Sequence, residues 1–279
     1  MIIKPFDSKI NLTNSGNLSL FFIGTGNAFA KGNFQNNLLI IKGSSHILID
    51  CGTLCPFALE TKYNTKITEI ENVLFTHQHA DHIGGAEELV LIDKYIRKSP
   101  VNIIIPPKFK KKLWNESLRG GIQFSEKGKM RFKDYFNELP IKRIQKSPFE
   151  MYHTILKNID LKLFRTRHIC SKETSFKNSQ LSYGIIIDEK ILFTGDTQFN
   201  KSQLLFLLSK YKKIETIFHD CDVLGYSQKV HAAYEQLCTL PLNIRKKIYL
   251  CHYTVAVNNL NVTADGFAGL AKPGVYYLF

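Results

Sequence analysis

The sequence predicts an α/β fold, with mixed β-sheets carrying helices on their outer sides, and three observations predict it. Short apolar runs typical of buried strands recur along the chain, at 18–23, 38–41, 46–49, 73–75, 101–105, 185–187 and 191–193, most of them closed by turn residues. Between them lie stretches with apolar residues at helical spacing, such as Leu89, Val90, Ile92 and Ile96. Several of the apolar runs end directly at Asp or His, so side chains able to ligate metal gather where strands stop.

At 279 residues the chain can bury a sizeable core, and it reads as a single domain over 1–279 with a helical elaboration at about 108–148. Hydrophobic residues at 44% and charged residues at 22% exclude a disordered or collagen-like chain. No uncharged apolar stretch reaches the ~18 residues of a membrane-spanning helix. The opening Met1-Ile2-Ile3-Lys4-Pro5-Phe6-Asp7 lacks the apolar core and small-residue cleavage site of a secretory signal. A cytoplasmic location with no membrane partner is therefore expected. Six cysteines in a chain this long do not make a disulfide framework, and Cys51 and Cys55 have no second pair to complete a zinc ribbon. They read as free thiols that pack as small hydrophobes. The net charge of +13 favours anions, whether phosphates, nucleotides or nucleic acid. No basic stripe with interleaved aromatics turns that attraction into a nucleic-acid site.

The elements follow in order. Residues 1–17 are polar and unpatterned, an edge strand or loose arm, and 18–23 form a strand stopped by Gly24-Thr25-Gly26-Asn27-Ala28-Phe29. A dinucleotide fingerprint is excluded there because Phe29 stands where the third glycine belongs. Residues 36–41 and 46–50 pair as a hairpin through Lys42-Gly43-Ser44-Ser45. A short helix at 56–63 and a strand at 70–76 come next, then a helix at 87–98 and a strand at 101–105 ended by Pro106-Pro107. A helix at 110–121 is expected to be capped by Gly120 and Gly121, and another short helix at 130–136. A strand at 161–166 and a hairpin of 182–188 with 190–194 follow. The chain closes with a helix at 203–211, a strand at 216–218, a helix at 231–239 and a strand at 247–250.

The richest stretch is Thr76-His77-Gln78-His79-Ala80-Asp81-His82-Ile83-Gly84-Gly85. His77 and His79, two apart in extended chain, can face the same way. Asp81 and His82 lie past the bend, and Gly84 and Gly85 permit the turn. Four ligand-capable side chains within six positions, directly after a strand, mark a metal site. The string resembles the His-x-His-x-Asp-His signature of the metallo-β-lactamase fold hydrolases, and that resemblance implies an αββα sandwich with the site along one edge of the sheets. Asp50-Cys51-Gly52-Thr53 matches the family's Asp-x-Gly element, with Asp50 orienting ligand loops rather than ligating.

Later strand ends extend the match. His168 follows 161–166, Asp196 lies in Thr194-Gly195-Asp196-Thr197, and His252 follows 248–251. The resemblance implies that His77, His79 and His168 hold one cation, Asp81, His82 and His252 a second, and Asp196 bridges them. Mixed imidazole and carboxylate donors suit two Zn²⁺, with Mn²⁺ or Fe²⁺ also accepted. Two cations about 3.5–4 Å apart support hydrolysis of a phosphoryl or carbonyl centre. Flavodiiron-type redox chemistry would require a Glu in the first motif and a flavin domain.

Phe218-His219-Asp220-Cys221 and Val230-His231-Ala232-Ala233-Tyr234-Glu235 resemble the tRNase Z and phosphodiesterase branch of the family. There the counterpart of His231 approaches the scissile phosphate, and the counterpart of Asp220 supports it. Asp for Glu, and Ala232-Ala233 for Ser-Thr, depart from the tRNase Z form. Asp81, His231 and Asp220 are thus the candidate catalytic residues. More of the chain, including Leu113-Trp114-Asn115-Glu116-Ser117-Leu118-Arg119-Gly120-Gly121 and residues 265–272, is similar to compact anti-Pycsar-type phosphodiesterases of phages and bacteria. That similarity implies cleavage of the 3′,5′-cyclic phosphate of cyclic nucleotides, countering cyclic-nucleotide immune signalling, by a homodimer. Two alternatives stay open: a tRNase Z-like endoribonuclease acting on RNA at tRNA 3′ ends, and a metal-bound nucleotide-binding protein without turnover. A lactonase or β-lactamase is disfavoured by the presence of both His219-Asp220 and His231.

Overall fold

Runs of Leu, Ile, Val and Phe too short for helices dominate the strands of this protein, whose computed structural model describes residues 1–171, 175–225 and 229–279. By its contacts the chain divides into two compact units. The first comprises Met1–Gly24, Lys31–Ile141 and Lys272–Phe279, the second Thr25–Ala30 and Lys142–Ala271. No helix among the described residues is long and apolar enough to cross a membrane.

The first unit is built on an eight-stranded sheet in the order Ile2–Pro5, Val275–Leu278, Ser19–Gly24, Asn37–Lys42, Ser45–Ile49, Asn72–Leu74, Val101–Ile104, Phe136–Glu138. Pairings are antiparallel up to Ser45–Ile49 and parallel beyond it. The 1–17 stretch contributes an edge strand, Ile2–Pro5. Ser19–Gly24 and Ser45–Ile49 are buried at every residue, as their near-continuous apolar sequences require. Phe21 and Tyr63 meet edge to face at 5.1 Å, and the Tyr63 hydroxyl donates to the Ile23 carbonyl at 2.9 Å. This fastens the Cys55–Tyr63 helix to the sheet. An asparagine ladder crosses the parallel strands: Asn102 donates to Asn72 at 3.1 Å, and Asn137 to Asn102 at 2.7 Å.

Three helix expectations in this unit are corrected. The 87–98 helix is α-helical only over Ala86–Ile92 and widens into a π-turn at Asp93–Arg97. That change of pitch turns later residues off the apolar face, and Ile96 is 69% exposed while Leu89 and Val90 are buried. The helix expected at 110–121 runs from Pro107 to Ile122, with a π-turn at Trp114–Leu118. Gly120 and Gly121 lie inside its last turn and do not cap it. Gly121 permits close approach instead, since a Cβ there would stand 2.1 Å from the Glu87 carboxylate. At 130–136 only Phe132–Asp134 is a helical turn, of the 3-10 type, and Phe136–Glu138 joins the sheet.

The second unit repeats the plan on a different sequence. Its order is Lys142–Gln145, Met151–Leu156, Ile159–Cys170, Ser179–Ile187, Ile191–Phe193, Thr216–Asp220, Ile248–Cys251, Gly269–Leu270. Again the first pairings are antiparallel and those after Ile191–Phe193 parallel. The expected strand at 161–166 is longer, so that His168 lies within it. Leu204, Leu207, Leu237 and Ile248 belong to the core between helices and sheet. The helix expected to open at His231 begins only at Tyr234. Ala233 forms a strand-like bridge with Asp222, and the Asp222 N–H donates to the Ala232 carbonyl at 2.8 Å, which holds this segment extended.

Candidate metal centre

In open α/β sheets, chemistry gathers at the carboxyl ends of parallel strands, and most of the predicted residues lie there, whereas His168 lies near the end of Ile159–Cys170, a strand antiparallel to both its neighbours. In the first unit, Asp50 leaves Ser45–Ile49 in the left-handed region, at φ 63°. Its Oδ1 accepts the Thr76 N–H at 2.6 Å, and its Oδ2 accepts the Thr76 hydroxyl at 2.8 Å. The same Oδ2 lies 2.7 Å from His82 Nδ1. Thr76 Oγ1 in turn stands 3.0 Å from His77 Nδ1. Both imidazoles are thereby held by Nδ1 and turn Nε2 inward.

His77 Nε2 lies 2.9 Å from His79 Nδ1, and His82 Nε2 lies 3.2 Å from Asp81 Oδ2. His77 and His79 stand on extended chain, whereas Asp81 and His82 ride the helical turn Ala80–Ile83. The Asp-x-Gly segment is stitched to that turn, with Cys51 N–H donating to the His82 carbonyl at 2.7 Å and Thr53 N–H to Ala80 at 3.1 Å. A Cβ at Gly52 would stand 2.1 Å from the Asp81 carbonyl, so only glycine fits. Burial pushes the Asp50 carboxyl up, against the opposing pull of His82 and Thr76.

In the second unit the focus is Asp196. Its Oδ2 lies 3.4 Å from His252 Nε2, 3.9 Å from His168 Nε2 and 3.9 Å from His231 Nδ1. His168 Nδ1 is held by the Val230 carbonyl at 2.8 Å. His252, at φ 61°, has its Nδ1 3.4 Å from Asp220 Oδ1. Asp220 Oδ2 stands 2.8 Å from His231 Nδ1 and accepts the Thr197 N–H at 2.9 Å. One ligand atom from each of Asp196, Asp220, His231 and His252 falls within 4.8 Å of all the others. Burial works against a charged His231, but the charge and hydrogen bond of Asp220 outweigh it, and the imidazole pKa is raised. Asp220 is buried too, yet His231 holds its carboxyl below the ordinary value.

These donors fit divalent cations. Imidazole and carboxylate are the ligand types of zinc and its neighbours. The anchoring of His77, His82, His168 and His252 through Nδ1 is the outer arrangement that metal-binding histidines require. All four are buried, where adjacent imidazoles and carboxylates are costly without a cation between them. The clusters are divalent-metal-binding in type.

Four contributors escaped the sequence reading. Thr76 and Thr197 hold the supporting carboxylates and Thr194 holds the backbone of one of them: Thr76 binds Asp50, the Thr197 N–H binds Asp220 Oδ2, and the Asp220 N–H donates to Thr194 Oγ1 at 3.0 Å. Val230 acts through its carbonyl alone. The threonines flanking each strand-end motif were a signal of sorts, but nothing in a valine side chain reports what its backbone oxygen does. The six cysteines are free, with Cys51, Cys55, Cys221 and Cys251 buried.

A family model described as "Anti-Pycsar protein Apyc1" matches residues 18–277. The Anti-Pycsar protein Apyc1 of Paenibacillus xerothermodurans is 34% identical over 236 residues, spanning 85% of this chain and 88% of that protein. The protein of the same description from Paenibacillus harenae is 36% identical over 233 residues, spanning 83% and 88%. Among solved structures, the metallo-beta-lactamase fold protein YhfI from Bacillus subtilis matches with a TM-score of 0.67 at 14% identity, covering 94% of this chain and 100% of its own. The expected metallo-β-lactamase fold is thus the fold found.

Proposed function

The chain belongs to the Anti-Pycsar protein Apyc1 family, and from that membership we propose that it is a metal-dependent phosphodiesterase opening the 3′,5′-cyclic phosphate of cyclic nucleotides. The observation that carries this reading is the contact of His231 with Asp220, 2.8 Å apart beside Asp196 and His252. Cleaving a phosphate ester leaves an alkoxide that must be protonated, and a positioned imidazole does this work. Asp220 holds His231 by Nδ1, so that Nε2 carries the proton toward the departing ribose oxygen.

His77, His79 and His168 would hold one cation, Asp81, His82 and His252 the other, with Asp196 shared. We read the chain as one functional domain over residues 1–279, to which each unit brings its own strand-end ligands. Two Zn²⁺ suit the donors best, with Mn²⁺ or Fe²⁺ as substitutes. When bound, the cations supply Lewis-acid polarisation of the phosphoryl group and lower the pKa of water. Asp81 then accepts a proton from the attacking water, while Asp50 keeps His82 oriented. A homodimer in the cytoplasm belongs to the same reading, and light scattering tests the dimer.

The deciding experiment incubates metal-loaded protein with a panel of cyclic mononucleotides, cyclic dinucleotides and precursor tRNA. Conversion of a cyclic mononucleotide to its linear monophosphate is expected. Cleavage of precursor tRNA alone overturns the proposal in favour of an RNA-processing enzyme, toward which the +13 charge would then point. Nucleotide binding without turnover of any substrate overturns it in favour of a binding protein.

A further inference from the structure

The second unit includes a short segment remote in sequence, Thr25–Ala30. It is stapled to the residue that follows His252. Gly26 bridges Tyr253 in strand fashion, Asn27 N–H donates to the Tyr253 carbonyl at 3.3 Å, and Tyr253 N–H donates to Thr25 at 3.3 Å. Thr25 Oγ1 donates to the Tyr253 hydroxyl at 3.0 Å, and that hydroxyl donates to the Ala271 carbonyl at 2.7 Å. Beyond the staple the chain turns tightly. Asn27 Oδ1 accepts the Phe29 N–H at 3.1 Å, and the Asn27 carbonyl accepts the Ala30 N–H at 3.1 Å.

The turn presents Phe29 to solvent, 84% exposed. Turn positions favour Gly, Asn, Asp, Ser and Pro, and Phe29 is the most exposed large hydrophobic side chain among the described residues. Phe29 is three positions along the chain from Gly26, so its Cα lies within about 11 Å of the Gly26 Cα, and Gly26 is bridged to Tyr253, next to His252. That reach matches the span of a nucleoside extending from a phosphate held near His252.

We propose that Phe29 is the residue on which the substrate's base stacks. The inference rests on the cyclic-nucleotide reading of the site. A phenyl ring with no polar edge offers a π-face to every base, so it positions the nucleotide without selecting the base by hydrogen bonds. Its contribution is larger for purines than for pyrimidines, following their stacking area.

The test compares adenosine 3′,5′-cyclic monophosphate with bis(4-nitrophenyl) phosphate, an ester without a nucleobase. In Phe29→Ala, the ratio of kcat/KM for the nucleotide to that for the ester should fall roughly 5- to 150-fold, through KM, as expected for loss of one base stack. Phe29→Trp should restore the ratio. An unchanged ratio overturns the proposal, and so does an equal loss on both substrates, which would make the turn structural. A binding readout stands apart from turnover. In a Trp114→Phe background, which removes the chain's single Trp, Phe29→Trp fluorescence should be quenched by adenosine 5′-monophosphate. Should the unaltered enzyme cleave no cyclic nucleotide, the functional reading fails while this quench still decides the base contact: quenching upholds it and its absence overturns it.

Discussion

His231 and Asp220 stand 2.8 Å apart and form the pair on which the proposed chemistry turns, and single substitutions separate its parts. His231→Ala should keep its metal, by elemental analysis, while turnover of the cyclic nucleotide falls about 10²–10⁴-fold, the usual worth of a general acid. Retention of full activity would remove His231 from the mechanism. Asp50 is a different case, since it touches His82 and Thr76 rather than substrate. Asp50→Asn should weaken metal affinity about 10–100-fold in a competition assay with a chelating dye. The His and Asp residues were legible because each is a costly polar group placed just where an apolar run ends. Thr76 and Val230 were not, because a hydroxyl bound to a neighbouring carboxylate and a backbone carbonyl leave no mark on hydrophobic pattern.

The elements add two tests. Gly52 admits no side chain, because a Cβ would meet the Asp81 backbone 2.1 Å away and hydrogen bonds on both sides of Gly52 tie its segment to the helical turn Ala80–Ile83. Gly52→Ala should therefore lower the melting temperature and the metal content together, whereas a variant with normal values of both would show that the segments separate freely. Asp93, fully buried at the start of the π-turn, has its carboxyl pushed up to about 7 by burial, against the pull of Arg97 2.9 Å away. The folded chain thus keeps a proton that the unfolded chain gives up near the ordinary carboxylate value. Stability is fullest below that value and is lost as pH climbs toward 7. The urea midpoint should fall between pH 5 and pH 8, and fall less in Asp93→Asn; parallel curves for the two proteins would refute this. Strands such as Ser19–Gly24 were readable from continuous apolar runs. Met151–Leu156 was not, since exposed Ile155 and polar His153 and Thr154 break the pattern, and its place is set by pairing with Ile159–Cys170. The π-turns were equally hidden, because α and π pitches share their residue preferences.

Over the whole molecule, two unlike sequences build the same ordered sheet, antiparallel strands first and parallel strands after, and each places His and Asp side chains at strand ends, where the proposed ions would bind. Chelation should therefore cost stability as well as activity. With ion at roughly 100–1,000 times Kd, its removal should lower the melting temperature on the order of 5–15 °C, and Zn²⁺ or Mn²⁺ should restore it. An unchanged melting curve after complete metal removal would contradict this. The left-handed backbone at Asp50 and His252 carries a last consequence for anyone engineering this enzyme. Side chains other than glycine sit uncomfortably at such angles. A thermostability library ranked by backbone comfort would nominate glycine at both sites, and each winner would gain in folding while emptying the pocket of a working group. Catalogues of heat-tolerant but inactive clones would, on that account, trace the outline of the reaction chamber.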